Sequence, residues 1–135
     1  MPLFKEKCVI IDDNEVDAYT QTCIFKKLDS EIDFAILTNE KEAINYFEKA
    51  SPADYPYLVI YNIWLPRYFG MDFLLYYEEN IYPKIEASNV VITTNSLSKE
   101  DKKIAKDFDC VKSYIIKPLQ LNHIPTILWK EKEYT

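Results

Sequence analysis

The sequence has one glycine, one histidine and only three cysteines in 135 residues. A single histidine, His123, cannot build a nitrogen-rich zinc site, and Cys8, Cys23 and Cys110 are too widely spaced for paired ligands. Their odd number, and the apolar runs beside Cys8 and Cys110, argue for buried thiols in a reducing cytosol rather than a disulfide framework. No N-terminal apolar segment of the signal-peptide kind occurs, and no run approaches a membrane span. The expectation is a cytoplasmic domain with no membrane partner. Positive charge is also in short supply: 16 Lys and Arg face 22 Asp and Glu, for a net charge of -6 and a pI near 4.8. That balance argues against a nucleic acid as partner, because phosphate backbones are held by basic surfaces.

What is present points to a folded domain. Apolar residues make up 48% and charged residues 28%, which excludes disordered and collagen-like classes. The length suits one domain, residues 1–135, with a core that needs no covalent staples. Five short apolar runs recur: Cys8–Ile11, Phe34–Leu37, Tyr57–Tyr61, Val90–Thr93 and Ser113–Ile116. Each is continuous rather than alternating, as in parallel strands covered on both faces.

Helical patterns lie between the runs. Asn14 to Leu28 places Val16, Tyr19, Thr20, Cys23, Ile24 and Phe25 on roughly one stripe. Asn39 to Lys49 opens on a capping Asn and turns Ala43, Ile44 and Phe47 inward. A third helix follows Gly70 and stops before Pro83. Ser98 with Asp101 three residues on resembles a capping box for a helix to about Phe108. The last runs from Leu121 to about Lys132, with Pro125 in its first turn. The order βαβαβαβαβα predicts an α/β fold: a five-stranded parallel sheet, doubly wound, with right-handed crossovers and helices on both faces. The Pro-rich stretch from Ser51 to Pro56 reads as a loop before the third strand, not as a domain boundary.

In such sheets ligands bind beyond the carboxyl ends of the strands. Asp12 and Asp13 follow the first strand, Asn62 the third, Thr94 the fourth, and Lys117 with Pro118 the fifth. Adjacent carboxylates repel, by up to ~4 kcal/mol at 4 Å and an intermediate dielectric, unless water or a hard cation offsets them. Capping of a helix N-terminus would explain the two aspartates alone. A shared site explains all these polar residues together.

The stretches Val9-Ile10-Ile11-Asp12-Asp13-Asn14, Tyr61-Asn62-Ile63-Trp64-Leu65-Pro66, Val91-Ile92-Thr93-Thr94 and Tyr114-Ile115-Ile116-Lys117-Pro118 resemble the receiver domains of bacterial response regulators, the CheY-like family. The ordered set spans nearly the whole chain. The resemblance implies a part in two-component, phosphorelay signal transduction, with Asp12 and Asp13 as Mg²⁺-site acids, Thr94 as switch hydroxyl and Lys117 as the ammonium that pairs with a phosphoryl group. It places Tyr114 at the aromatic that changes rotamer on activation; an ordinary half-buried strand tyrosine is the alternative. It also implies a binding surface on the fourth helix, fifth strand and fifth helix, where Ile104, Phe108, Tyr114 and Trp129 are either contacts or core.

The departure is at the phosphoacceptor, an aspartate in the family and Asn62 here. A carboxamide is neutral and its electrons are delocalised, so it is not a competent nucleophile toward phosphorus. Tyr61 offers no substitute, because it faces the opposite side of the sheet. Asn62 also removes one negative charge, so the expected Mg²⁺ site is weak or vestigial. Asn95 is bulkier than the residue the family uses there and Trp64 would cover the pocket mouth.

The expected function is that of a stand-alone, atypical receiver, not an enzyme, which is not phosphorylated at position 62 and acts through a protein partner. A sensor histidine kinase or a downstream effector is the implied kind of partner. Only Glu133, Tyr134 and Thr135 follow Lys132, so the effect is expected to pass through another protein rather than an output domain, unless the sequence is a piece of a larger chain. One alternative is a conventional Mg²⁺-dependent receiver whose acceptor Asp has been replaced. Another is an Mg²⁺-dependent phosphotransfer or hydrolytic enzyme, for which strand-end acids could serve.

Overall fold

The computed structural model describes residues 7–27, 32–56, 58–62, 71–84 and 89–123. Five strands form one sheet: β1 (Lys7–Ile11), β2 (Asp33–Leu37), β3 (Leu58–Tyr61), β4 (Asn89–Thr94) and β5 (Val111–Ile116). All neighbours are parallel, in the order β2-β1-β3-β4-β5. Between them run α1 (Glu15–Lys26), α2 (Glu40–Lys49), α3 (Asp72–Asn80) and α4 (Lys99–Lys106). This is the doubly wound fold that the alternation of runs predicts. Beyond β5 the chain makes a 3-10 turn at Leu121–His123. The rest of the expected last helix, with Pro125 and Trp129, lies outside the described residues, as do Trp64, Pro66 and Gly70.

The strict two-residue period of a strand sorts the core into two halves. Val9, Ile11, Val59, Tyr61, Val90 and Ile92 pack with Ala43, Phe47, Phe73, Leu74 and Tyr77 of α2 and α3. Cys8, Ile10, Leu58, Ile60 and Val91 pack on the other face with Ala18 and Phe25 of α1. Phe47 is the aromatic hub of the first half, with ring centroids of Phe73, Tyr77 and Tyr55 at 5.8, 5.4 and 6.0 Å.

Helix starts follow local capping chemistry. Asn14, not either aspartate, caps α1: its Oδ1 accepts the N–H groups of Val16 and Asp17, each at 3.0 Å. Asn39 caps α2 through the Glu42 N–H at 2.8 Å. Ser98 Oγ accepts the Asp101 N–H at 3.2 Å, one half of the expected box. The other half is relayed, since Asp101 Oδ2 takes the Ser96 hydroxyl at 2.7 Å and Ser96 Oγ accepts the Ser98 N–H at 3.2 Å.

The inner face of α1 differs from the expected stripe. Val16 and Tyr19 are 73% and 67% exposed and Thr20 is exposed, while Cys23 and Ile24 are half-buried. The buried positions are Ala18, Gln21, Thr22 and Phe25. Their spacing, i, i+3, i+4, i+7, is the helical one, but two of the four are polar. Thr22 meets its need locally, donating to the Tyr19 carbonyl at 2.6 Å. Gln21 meets its need in the site described next.

Candidate functional site

Strand parity brings the polar residues together. Asp12 and Asn62 continue the even positions of β1 and β3, so both side chains emerge on the face covered by α1. The sheet ladder runs on through them: Asp12 N–H donates to the Leu37 carbonyl at 2.9 Å and Asn62 N–H to that of Ile11 at 2.8 Å. Lys117 N–H donates to the Thr94 carbonyl at 2.8 Å, which fixes the ends of β4 and β5 side by side. Tyr61 points to the opposite half, as expected, and its hydroxyl donates to Glu40 Oε2 at 2.8 Å. The same Glu40 oxygen accepts the Phe73 N–H at 2.9 Å, tying β3, α2 and α3 at one carboxylate.

Asp12 is fully buried and Asp13 is exposed at the turn. Asp12 Oδ1 accepts the Asn14 N–H at 2.9 Å, and Oδ2 accepts from Gln21 Nε2 at 3.2 Å. Lys117 Nζ stands 3.7 Å from Asp12 Oδ2 and 3.3 Å from Asp17 Oδ2. Burial raises the Asp12 carboxyl above the usual aspartate range; the Asn14 N–H and the Lys117 charge oppose the rise, and Asp17 and Asp13 add to it. The Lys117 head is largely shielded, at 16% exposure, so its charge is spent on these two acids.

Asn62 is half-buried and pairs with Gln21 in both directions. Gln21 Nε2 donates to Asn62 Oδ1 at 3.4 Å, and Asn62 Nδ2 donates to Gln21 Oε1 at 3.2 Å. The sequence reading missed Gln21, because a polar residue in mid-helix usually marks the solvent face. The signal that could have found it is the i, i+3, i+4, i+7 register from Ala18 to Phe25.

The residues as arranged do not fit a Mg²⁺ ion, which takes octahedral oxygen ligands at about 2.0–2.1 Å. The oxygens of Asp12 and Asn62 face N–H donors of Asn14 and Gln21 and an ammonium, not a common empty point. Among the described residues no group of three or more His, Cys, Asp or Glu side chains could hold a metal ion.

Thr94 lies buried at the end of β4, and its Oγ1 accepts the Ser96 N–H at 3.0 Å, so the hydroxyl braces its own loop. It meets the site through its carbonyl. Asn95 is exposed and, with Asp17, Gln21 and Lys117, lines a cleft of about 260 Å³ between α1 and the loops after β4 and β5. Tyr114 is half-buried on β5, with Lys102 Nζ 6.0 Å from its ring centroid. It borders a larger groove, about 620 Å³, along α4 and β5, to which Lys102, Lys106, Lys112 and Ile116 also contribute. Of the other expected contacts there, Phe108 belongs to the core and Ile104 packs against it.

The fold is that of response-regulator receiver domains. A two-component response regulator from Cytophaga hutchinsonii superposes with a TM-score of 0.80 at 22% identity, over 96% of this chain and 98% of that one. A receiver protein from Dyadobacter fermentans gives 0.77 at 16% identity, over 93% and 96%. A two-component response regulator from Legionella pneumophila gives 0.76 at 21% identity, over 96% and 99%. No protein-family profile and no curated protein sequence matches the chain. No helix among the described residues is long and apolar enough to cross a membrane.

Proposed function

We propose that this chain is an atypical receiver of two-component signalling which binds a protein partner without using an aspartyl phosphate at position 62. The observation that carries this reading is Asn62: a carboxamide at the end of β3, engaged on both its polar atoms by Gln21. An amide cannot form the acyl phosphate that an aspartate would, so the bond that biases a receiver between two states is not available there. The chain then acts as a binding module and not as a catalyst. The partner is a sensor kinase or a downstream effector, and the α4–β5 groove beside Tyr114 is the surface proposed for it. A net charge of -6 speaks against nucleic acid, and three free thiols suit the cytoplasm.

One observation favours a second reading, a conventional receiver with a replaced acceptor: Asp12 and Lys117 still meet at 3.7 Å. Incubation with Mg²⁺ and acetyl phosphate, followed by intact-mass analysis, tests the first reading. No phosphoryl adduct is expected on the parent protein; an acid-stable, base-labile adduct overturns the proposal. Recovery of such an adduct in Asn62→Asp would favour the second reading.

A further inference from the structure

The corner where a cation would sit is filled by the chain's own side chain. Gln21 is only 5% exposed, and both ends of its amide are engaged. Its nitrogen serves Asp12 Oδ2 at 3.2 Å and Asn62 Oδ1 at 3.4 Å, one for each of its two hydrogens. Its oxygen accepts the Asn62 amide at 3.2 Å. A cation ligated by Asp12 and Asn62 would need the same two oxygens that Gln21 now occupies. Lys117, 3.7 Å from Asp12 Oδ2, adds positive charge next to the same atom. The oxygens are therefore satisfied by a neutral amide and an ammonium, and a buried amide with every group paired is costly to displace.

We infer that Gln21 is a built-in replacement for the cation: an amide from α1 that ties the ends of β1 and β3 together and excludes Mg²⁺ from between them. The inference rests on the receiver reading of these strand ends, but it concerns the cation and not the phosphoryl group. It makes Gln21 a positioning residue, and it separates two departures that look alike in sequence. Asn62 removes the nucleophile, while Gln21 closes the metal corner. Restoring an acid at position 62 then leaves Gln21 still bound to Asp12.

The test is calorimetric titration of the 135-residue chain with Mg²⁺ alone, comparing the parent, Gln21→Ala and Gln21→Ser. The parent shows no saturable binding at millimolar Mg²⁺. Removing the amide frees two oxygens, so both variants show saturable binding where the parent shows none, a gain of about tenfold or more. In the Asn62→Asp background, adding Gln21→Ala tightens binding by at least about tenfold over Asn62→Asp alone. Circular dichroism establishes that each variant is folded, and the serine variant serves if the alanine variant is not. Equal affinities with and without Gln21, equal absence of binding included, overturn the inference. Because no phosphodonor is present, that failure is distinct from the appearance of an adduct, which would overturn only the function proposed above.

Discussion

Asn62→Asp should destabilise the fold, and the structure sets the size of the effect. Asn62 Oδ1 and Asp12 Oδ2 lie 3.4 and 3.2 Å from the same Gln21 nitrogen. Two carboxylates sharing that nitrogen stand about 5–6 Å apart, where an effective dielectric of about 20 gives ~3 kcal/mol of repulsion. Lys117 at 3.7 Å from Asp12 offsets part of it, and the reciprocal bond from Asn62 Nδ2 to Gln21 Oε1 is lost. The net loss should be about 1–3 kcal/mol at neutral pH, or roughly 5–10 °C in Tm. Urea denaturation measures it as a lower midpoint at unchanged slope. The pH dependence has a definite sign. The new carboxyl is raised in the folded state above its unfolded value of ~3.9, so its cost is present above the folded pKa and vanishes as pH falls below the unfolded one. The stability gap to the parent should therefore close toward acid. A variant as stable as the parent at neutral pH would refute the placement of two acids at one amide.

Other expectations follow from the packing. Phe47→Ala empties the centre of the aromatic cluster with Tyr55, Phe73 and Tyr77 and should cost about 3–5 kcal/mol by chemical denaturation. Asn14→Ala removes the cap that holds the Val16 and Asp17 N–H groups and should cost about 1 kcal/mol, with faster amide exchange confined to the first turn of α1. A chromogenic disulfide reagent should modify Cys23 alone in the native protein and all three cysteines in denaturant. Cys8 and Cys110 are buried, and burial pushes both thiols far above the ordinary range.

The strands were legible because short continuous apolar runs alternate with helical periodicity; the described side chains of β1, β3 and β4 are buried, while β2 and β5, at the sheet edges, are half-buried or exposed. The same logic puts Asp12, Asn62, Thr94 and Lys117 at the carboxyl ends of their strands. It erred where hydrophobicity and burial part company. Val16 and Tyr19 read as core by type, yet the phase of α1 turns them outward and turns Gln21 and Thr22 inward. β5 begins at Val111, earlier than its apolar run, because Val111 already pairs with Val90 of β4, and Lys112 falls at the register shift between the Val90 and Val91 pairings. Thr94 is the last residue of β4 rather than the first after it, and its own loop takes its hydroxyl through the Ser96 N–H. Gln21 escaped notice because its role depends on two partners, nine and 41 residues away, that only the fold brings within reach.

On the proposed reading this strand-end site is closed: no phosphoryl group forms at position 62 and no cation enters beside it. Its most direct measurement is the amide spectrum of ¹⁵N-labelled protein, including the Gln21 and Asn62 side-chain amides, before and after adding Mg²⁺ and acetyl phosphate together. Superimposable spectra are expected, with both side-chain amides protected from exchange. Shifts at Asp12, Asn62, Thr94 and Lys117 that saturate with Mg²⁺ or acetyl phosphate would contradict it.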